Sequence, residues 1–199
     1  VVYDEPRSSI TESFRAIRTN LQFYVKGNDK HTILITSSHT GEGKTFTSMN
    51  LAIVFALFGK KTLLMGFDLR RPALYQDFKL NNDAGLSTFL IGRHSLDEVI
   101  RQTHIDNLDI ITAGPVPPNP SELIASEATD ELFAAVKERY DFIIIDTSPI
   151  GVVTDASLLM RYADTNLYMV RQNHTSKKIF STVIEELNKK DLKINILFN

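Results

Sequence analysis

The chain has 199 residues, 43% hydrophobic and 23% charged, which suits one soluble α/β domain with a sizeable core. A formal net charge of −2 supplies no field for nucleic acid, so no nucleic-acid partner is expected. The absence of cysteine excludes disulfides, thiol catalysis and cysteine-based zinc sites, and no apolar stretch approaches the ~20 residues that span a bilayer.

Residues 1–8 read as an extended arm, because Pro6 disfavours helix just before it. The N-terminus carries neither an initiator Met nor a signal-peptide pattern, and the chain stops inside the apolar run Ile194-Asn-Ile-Leu-Phe-Asn199. Both ends are therefore expected to continue in a longer protein. A helix is predicted from Ile10 to Tyr24, with Ser9-Ile-Thr-Glu12 as a capping box and Ile10, Phe14, Ile17 and Leu21 as its apolar stripe. Glu12, Arg15 and Arg18 follow at intervals of three beside that stripe. Such a strip is either a solvated face with a Glu12–Arg15 ion pair or a charge zipper between subunits. Arm and helix occupy 1–30, and the core occupies 31–199.

Thr32 to Thr36 is a β-branched apolar run that reads as a buried parallel strand, and it feeds the loop Ser37-Ser-His-Thr-Gly-Glu-Gly-Lys-Thr45. Lys44 and Thr45 then open a helix through Leu51, Ala52 and Val54 to Leu57. Strand, Ser/Gly loop and Gly-Lys-Thr at a helix start form a P-loop in its expected context. Gly41 and Gly43 let backbone N–H groups curl around phosphate oxygens, Lys44 reaches the β/γ-phosphates, and the Thr45 hydroxyl can ligate Mg²⁺. Residues Thr40, Gly41, Glu42, Gly43, Lys44, Thr45 and Phe46 are the expected nucleotide cradle. Ser38 stands where the usual pattern begins with glycine, a change that a small residue with ordinary backbone angles can tolerate. His39 lies within the loop and is expected to face solvent.

A second buried strand, Thr62 to Phe67, ends at Asp68-Leu-Arg-Arg-Pro72. An acid there can serve a metal, because ligands of open parallel sheets bind outside the strand carboxyl ends, or it can simply close a turn. A third strand, Leu108 to Thr112, leads to Ala113-Gly-Pro-Val-Pro-Pro-Asn-Pro120, which frames a cleft, presents a partner surface or stiffens the loop. Ser121 is expected to cap a short helix with Glu122, and another helix spans Thr129 to Arg139. Phe142-Ile-Ile-Ile-Asp146 has the Walker B form, an apolar strand ending in an acid, and Asp146 would hold Mg²⁺ directly or through water. Thr147 to Gly151 follows as a loop, and Asp155 is expected to cap the next helix. Strands at Asn166–Val170 and Lys193–Phe198, with a helix at Ser176–Lys189 between them, complete about six strands. Right-handed crossovers make this an α/β, doubly wound, mostly parallel sheet with helices on both faces, of P-loop NTPase type. The five His are scattered without metal-ligand spacing.

The motifs together resemble the bacterial tyrosine kinases (BY-kinases) of capsule and exopolysaccharide export, over almost the full chain. The likeness rests on Glu12-x-x-Arg15-x-x-Arg18 before Thr-Asn-Leu, Gly41-Glu-Gly-Lys-Thr45, Asp68-Leu-Arg-Arg-Pro72 as a Walker A′ element, Pro117-Pro-Asn-Pro-Ser-Glu-Leu123, and Asp146 in Walker B. MinD-like and ParA-like ATPases are wider relatives, but they carry an extra lysine early in the P-loop, and none lies between Ser37 and Gly43. The resemblance implies an ATP-dependent protein-tyrosine kinase domain with ATP/ADP and Mg²⁺ as cofactors. Lys44, Asp68 and Asp146 would be catalytic, Thr45, Asp68 and Asp146 would serve the metal, and Arg70 or Arg71 would meet phosphate or acceptor. It further implies a cytoplasmic domain at the inner face of the membrane, joined to or activated by a membrane-spanning chain-length regulator. The domain would form a homo-oligomeric ring through Glu12, Arg15 and Arg18, and phosphorylate tyrosine-bearing proteins including its own copies. Asn199 would contact adenine, as in MinD-like relatives.

Two features depart from the family pattern. The A′ strand commonly ends Asp-x-Asp, and here Gly66 replaces the first acid. Only about one tyrosine phenol in a thousand is ionised at pH 7, so a base near the acceptor helps, although positioning and charge neutralisation contribute more to phosphoryl transfer. If the missing acid was that base, Asp68 takes the role or activity falls. The second departure is the tail, which has no tyrosine cluster, while Tyr162 and Tyr168 sit near predicted core elements. Either the tail was removed or the protein modifies something else, and Gly66 sustains an alternative, a nucleotide-switched assembly ATPase of MinD/ParA type with little phosphotransfer.

Overall fold

The computed structural model describes residues 2–23, 30–151 and 154–199. Its strands are β1 (His31–Ser37), β2 (Thr62–Gly66), β3 (Arg101–Gln102), β4 (Leu108–Ile111), β5 (Phe142–Asp146), β6 (Thr165–Val170) and β7 (Asn195–Phe198). They form one sheet in the order β3-β4-β2-β5-β1-β6-β7, parallel throughout except where β3 pairs antiparallel with β4. From β1 the chain crosses β5 to build one half of the sheet, then returns through β5 to build the other half beyond β1. The strand order therefore reverses at β1, and the crevice outside the carboxyl ends of β1, β2 and β5 is the expected ligand position.

The helices are α1 (Ser9–Gln22), α2 (Lys44–Leu57), α3 (Leu74–Asp77), α4 (Leu86–Leu90), α5 (Leu96–Val99), α6 (Pro120–Ile124), α7 (Glu127–Arg139), α8 (Asp155–Leu159) and α9 (Lys177–Lys189), with a 3₁₀ turn at Met160–Tyr162. Strand alternation sorts the core into two layers. Ile33, Ile35, Leu64, Phe142 and Ile144 pack with α1 and α2, whereas Leu34, Leu63, Met65, Ile143 and Ile145 pack with α7 and α9. Both faces of the central strands are covered, which explains why they read as continuous apolar runs. A lone 14-residue helix is marginal in water, so α1 depends on burying Phe14 and Leu21 against the α2 layer.

The observed elements depart from expectation in local ways. Ser8, rather than Ser9, caps α1, its Oγ accepting from the Thr11 N–H at 3.2 Å. Ser8 has the extended backbone a cap needs, while Ser9 is already helical. The predicted helix end at Tyr24 lies outside the described residues. A seventh strand, β3, and the short helices α3 to α5 fill 74–102, where no periodicity was long enough to announce them. Among the described residues, no helix is long and apolar enough to cross a membrane.

Candidate active site

The loop between β1 and α2 is shaped by two left-handed glycines, Gly41 at φ +81° and Gly43 at φ +96°. A side chain at 43 would be strained and would also meet Asn199 Nδ2 at 2.9 Å. The α2 N-terminus has no side-chain cap, so its first N–H groups remain available to an anion. Ser38 keeps a negative φ, so the site of the usual glycine needs no left-handed backbone here. The serine is fully buried, and its hydroxyl lies 2.6 Å from that of Tyr168. Gly151 approaches so closely that a Cβ there would stand 2.5 Å from the Ser38 carbonyl oxygen.

The loop is gripped from its far side. Glu42 is buried, and its carboxylate accepts from the His39 N–H at 2.8 Å and from the Thr175 hydroxyl. Its side chain therefore shapes the loop, leaving its backbone for the cradle. Arg171 donates to the Gly41 carbonyl at 2.6 Å, His174 Nε2 lies 3.1 Å from the Thr40 carbonyl, and Asn199 Nδ2 donates to the Glu42 carbonyl at 3.4 Å. Arg171, His174 and Thr175 were missed from sequence, because only the β6-to-α9 turn brings them to the P-loop. His39 is half-buried rather than open to solvent, and the Phe46 ring stands 5.9 Å from Phe14 of α1.

Lys44, Thr45, Asp68 and Asp146 converge at the strand ends. Lys44 Nζ donates to Ser37 Oγ at 3.1 Å and the His39 carbonyl at 3.3 Å. Burial pushes its pKa down, against the opposing pull of Asp146, Asp68 and Glu42. Thr45 donates to Asp146 Oδ2 at 2.8 Å and Ser48 to Oδ1 at 3.2 Å. Burial pushes the Asp146 carboxyl up to about 6, with the Thr45 bond and the Lys44 charge resisting. Its charge is incompletely compensated by protein groups, which is the condition a bound cation relieves. Thr45, Asp68 and Asp146 are hard oxygen donors, fitting Mg²⁺, which is usually held by one or two carboxylates together with phosphate oxygens. Among the described residues no group of three or more His, Cys, Asp or Glu forms a closed metal cage.

Asp68 closes a turn as well. Its Oδ1 accepts from Ser148 Oγ at 2.9 Å, the Arg71 N–H at 3.0 Å and the Arg70 N–H at 3.2 Å. Arg70 does not extend into the phosphate site. It forms a fork with Asp155, Nε to Oδ2 at 2.7 Å and Nη2 to Oδ1 at 3.1 Å, and Nη2 donates to Ser121 Oγ at 2.8 Å. The expected caps are corrected accordingly. Asn119 is the N-cap of α6 and Thr154 that of α8, while Ser121 donates to Asp155 Oδ1 at 2.6 Å. A fully buried carboxylate needs a charged partner more than a helix needs one cap. Arg71 is exposed.

On α1, Glu12 pairs with Arg15 in the open. The Arg18 guanidinium lies 4.2 Å from the centre of the Phe58 ring, with Nη1 3.5 Å from the Val54 carbonyl, and burial lowers its pKa. Tyr168 is buried, and Tyr162 stacks on Phe133 at 4.1 Å while donating to Asp130.

A family model described as an AAA domain matches residues 30–198. The chain is 40% identical over 176 residues to the putative tyrosine-protein kinase CapB of Staphylococcus aureus, covering 88% of this chain and 77% of that one. It is 35% identical over 191 residues to the tyrosine-protein kinase etk of Escherichia coli K12, covering 96% of this chain but 26% of that one. The solved kinase domain of Escherichia coli ETK superposes with a TM-score of 0.94 at 34% identity, over 100% of this chain and 78% of that chain. The septum site-determining protein MinD of Pyrococcus horikoshii shares the fold alone, with a TM-score of 0.67 at 23% identity over 85% of this chain and 69% of that one. On sequence and fold together, the chain belongs to the bacterial tyrosine-protein kinases, a branch of the P-loop ATPases.

Proposed function

We propose that this chain is an ATP-dependent kinase domain that transfers the γ-phosphoryl group to tyrosine. The observation that carries the reading is the meeting of Thr45 with Asp146 at 2.8 Å beneath the loop that bears Lys44. That pair brings the P-loop hydroxyl and the Walker B acid to one point, as a Mg-nucleotide site requires. Backbone N–H groups of 40–46 and the Lys44 ammonium bind the phosphates. Thr45, Asp68 and Asp146 would hold Mg²⁺, which when bound would supply charge neutralisation to the phosphates. Lys44 keeps the phosphates aligned with the acceptor, and Asp68 takes the phenol proton as the tyrosine oxygen bonds to γ-phosphorus. The β–γ bridging bond breaks and ADP departs. Asn199, already against the P-loop, contributes to adenine binding, and unchanged nucleotide affinity in Asn199→Ala would remove that part.

The family resemblance supports a wider setting. In it the domain works at the inner face of the membrane, joined to or activated by a chain-length regulator, and phosphorylates its neighbours within a ring formed through Glu12, Arg15 and Arg18. Gly66 favours a second reading, in which nucleotide drives assembly with little phosphotransfer. Incubation with Mg-ATP and a Glu/Tyr copolymer separates the two. Phosphotyrosine lost in Lys44→Met supports the kinase, whereas slow ATP hydrolysis with nucleotide-dependent assembly and no phosphotyrosine supports the switch.

A further inference from the structure

Among the described residues three acids are buried, Glu42, Asp146 and Asp155. Glu42 and Asp146 belong to the P-loop site, whereas Asp155 starts α8, and the reaction described above makes no use of it. Its burial is nonetheless complete, and a buried carboxylate persists only when its charge and lone pairs are answered. Here the answer is a closed set of three side chains. Arg70 grips both Asp155 oxygens, Ser121 donates to Oδ1 at 2.6 Å, and Arg70 Nη2 reaches Ser121 at 2.8 Å. These residues come from three connections that leave the carboxyl ends of β2, β4 and β5. The set therefore ties together the loops that surround the strand ends.

Arg70 faces two ways. Its side chain is anchored on Asp155, while its backbone N–H and that of Arg71 both donate to Asp68 Oδ1. A guanidinium fork has one geometry, so fixing it on a buried acid also fixes the peptide that orients the Asp68 carboxylate. We propose that Asp155, acting through Arg70, is a positioning residue that holds Asp68 in the orientation that serves the metal–phosphate site. The inference rests on the reading that Asp68 serves a Mg-nucleotide complex.

The test reads metal binding rather than turnover. Mn²⁺, standing in for Mg²⁺, is titrated in the presence of ADP and free metal is followed by electron paramagnetic resonance. Metal-free binding of a fluorescent ADP is measured beside it. Loss of an outer partner of a metal-site carboxylate typically costs about 10–100-fold in metal affinity, and Asp155→Asn is expected to weaken Mn²⁺ binding by about tenfold. Metal-free ADP binding should stay unchanged. Arg70→Lys, which keeps the charge without the fork, should show a smaller loss of the same kind and carries the test if Asp155→Asn does not fold. In an Asp68→Asn background, Asp155→Asn should add nothing. Wild-type Mn²⁺ affinity in both single variants, or an equal further loss without the Asp68 carboxylate, overturns the proposal. Failure of the unaltered protein to bind Mn²⁺ with ADP overturns the Mg-nucleotide reading, and the inference with it.

Discussion

Gly66 stands opposite Asp146 in the register of β2 and β5, at the strand end where the family pattern carries an acid. Its φ is not positive, so the backbone there does not require glycine. The missing Cβ would meet Leu74 Cδ2 at 3.2 Å and the Ala113 nitrogen at 3.6 Å. The tighter contact is with the end of a flexible side chain, which can yield. Gly66→Ala is therefore expected to cost no more than about 1–3 kcal/mol of stability and leave activity unaltered. Gly66→Asp restores a second acid beside Asp146 and is expected to raise phosphotyrosine formation by about tenfold, a modest share of what a positioned base supplies. Initial rates on a Glu/Tyr copolymer at saturating Mg-ATP check this. An unchanged rate would mean that Asp68 alone meets the need for a base.

Asp146 makes stability depend on pH in a direction opposite to most carboxylates. Its folded pKa, about 6, lies above the ordinary carboxyl value of 3.8, so the folded state binds its proton more tightly than the unfolded state. The stability this contributes is complete below the unfolded pKa and is lost as pH rises through about 6. Asp146→Asn removes the buried charge, and without nucleotide it should raise stability at pH 8 by up to about 3 kcal/mol, two pKa units' worth. The gain should fade towards pH 4. Urea unfolding at the two pH values measures it, and a gain equal at both would contradict the assignment.

The Ser38–Tyr168 hydroxyl pair predicts an asymmetry. Ser38→Ala leaves the Tyr168 hydroxyl buried without its 2.6 Å partner and is expected to cost about 1–3 kcal/mol. Tyr168→Phe combined with Ser38→Ala removes both groups and should cost less than Ser38→Ala alone. Chemical denaturation of Ser38→Ala, Tyr168→Phe and the double variant decides it, and strictly additive losses would count against the pair.

What could be read from sequence was what is local. The P-loop was legible because strand, glycines, Lys44 and Thr45 are contiguous, and Asp146 because it ends an unbroken apolar run. The departure at Ser38 was readable as tolerable, but its partner Tyr168 lies on β6 and leaves no mark near residue 38. Arg70 or Arg71 was expected at phosphate or acceptor on the resemblance alone, and no residue near Arg70 in sequence marks the partner it takes. That partner, Asp155, is 85 residues away. The grip of Arg171 on Gly41, across 130 residues, was invisible for the same reason. The helices between 74 and 99 were missed because stretches of four or five residues complete too little of a helical period to register.

The α1 strip separates its two readings by where the loss falls. Glu12 and Arg15 form an exposed pair, worth no more than about 0.5 kcal/mol to the fold of one chain. Arg18 covers Phe58 and should matter to the monomer itself. If the strip joins subunits, Glu12→Ala is therefore expected to leave the unfolding midpoint nearly unchanged while shifting sedimentation velocity towards the monomer. If the strip is only a solvated face, sedimentation of Glu12→Ala will match that of the unaltered protein.

The most direct test is intact-mass analysis with anti-phosphotyrosine detection after incubation with Mg-ATP, the unaltered protein beside Asp68→Asn. The kinase account predicts phosphate on tyrosine in the unaltered protein, within the chain or on an added tyrosine-bearing acceptor, and none in Asp68→Asn. No phosphotyrosine on either acceptor, with ATP still bound, would contradict it and leave the assembly switch as the function of this site.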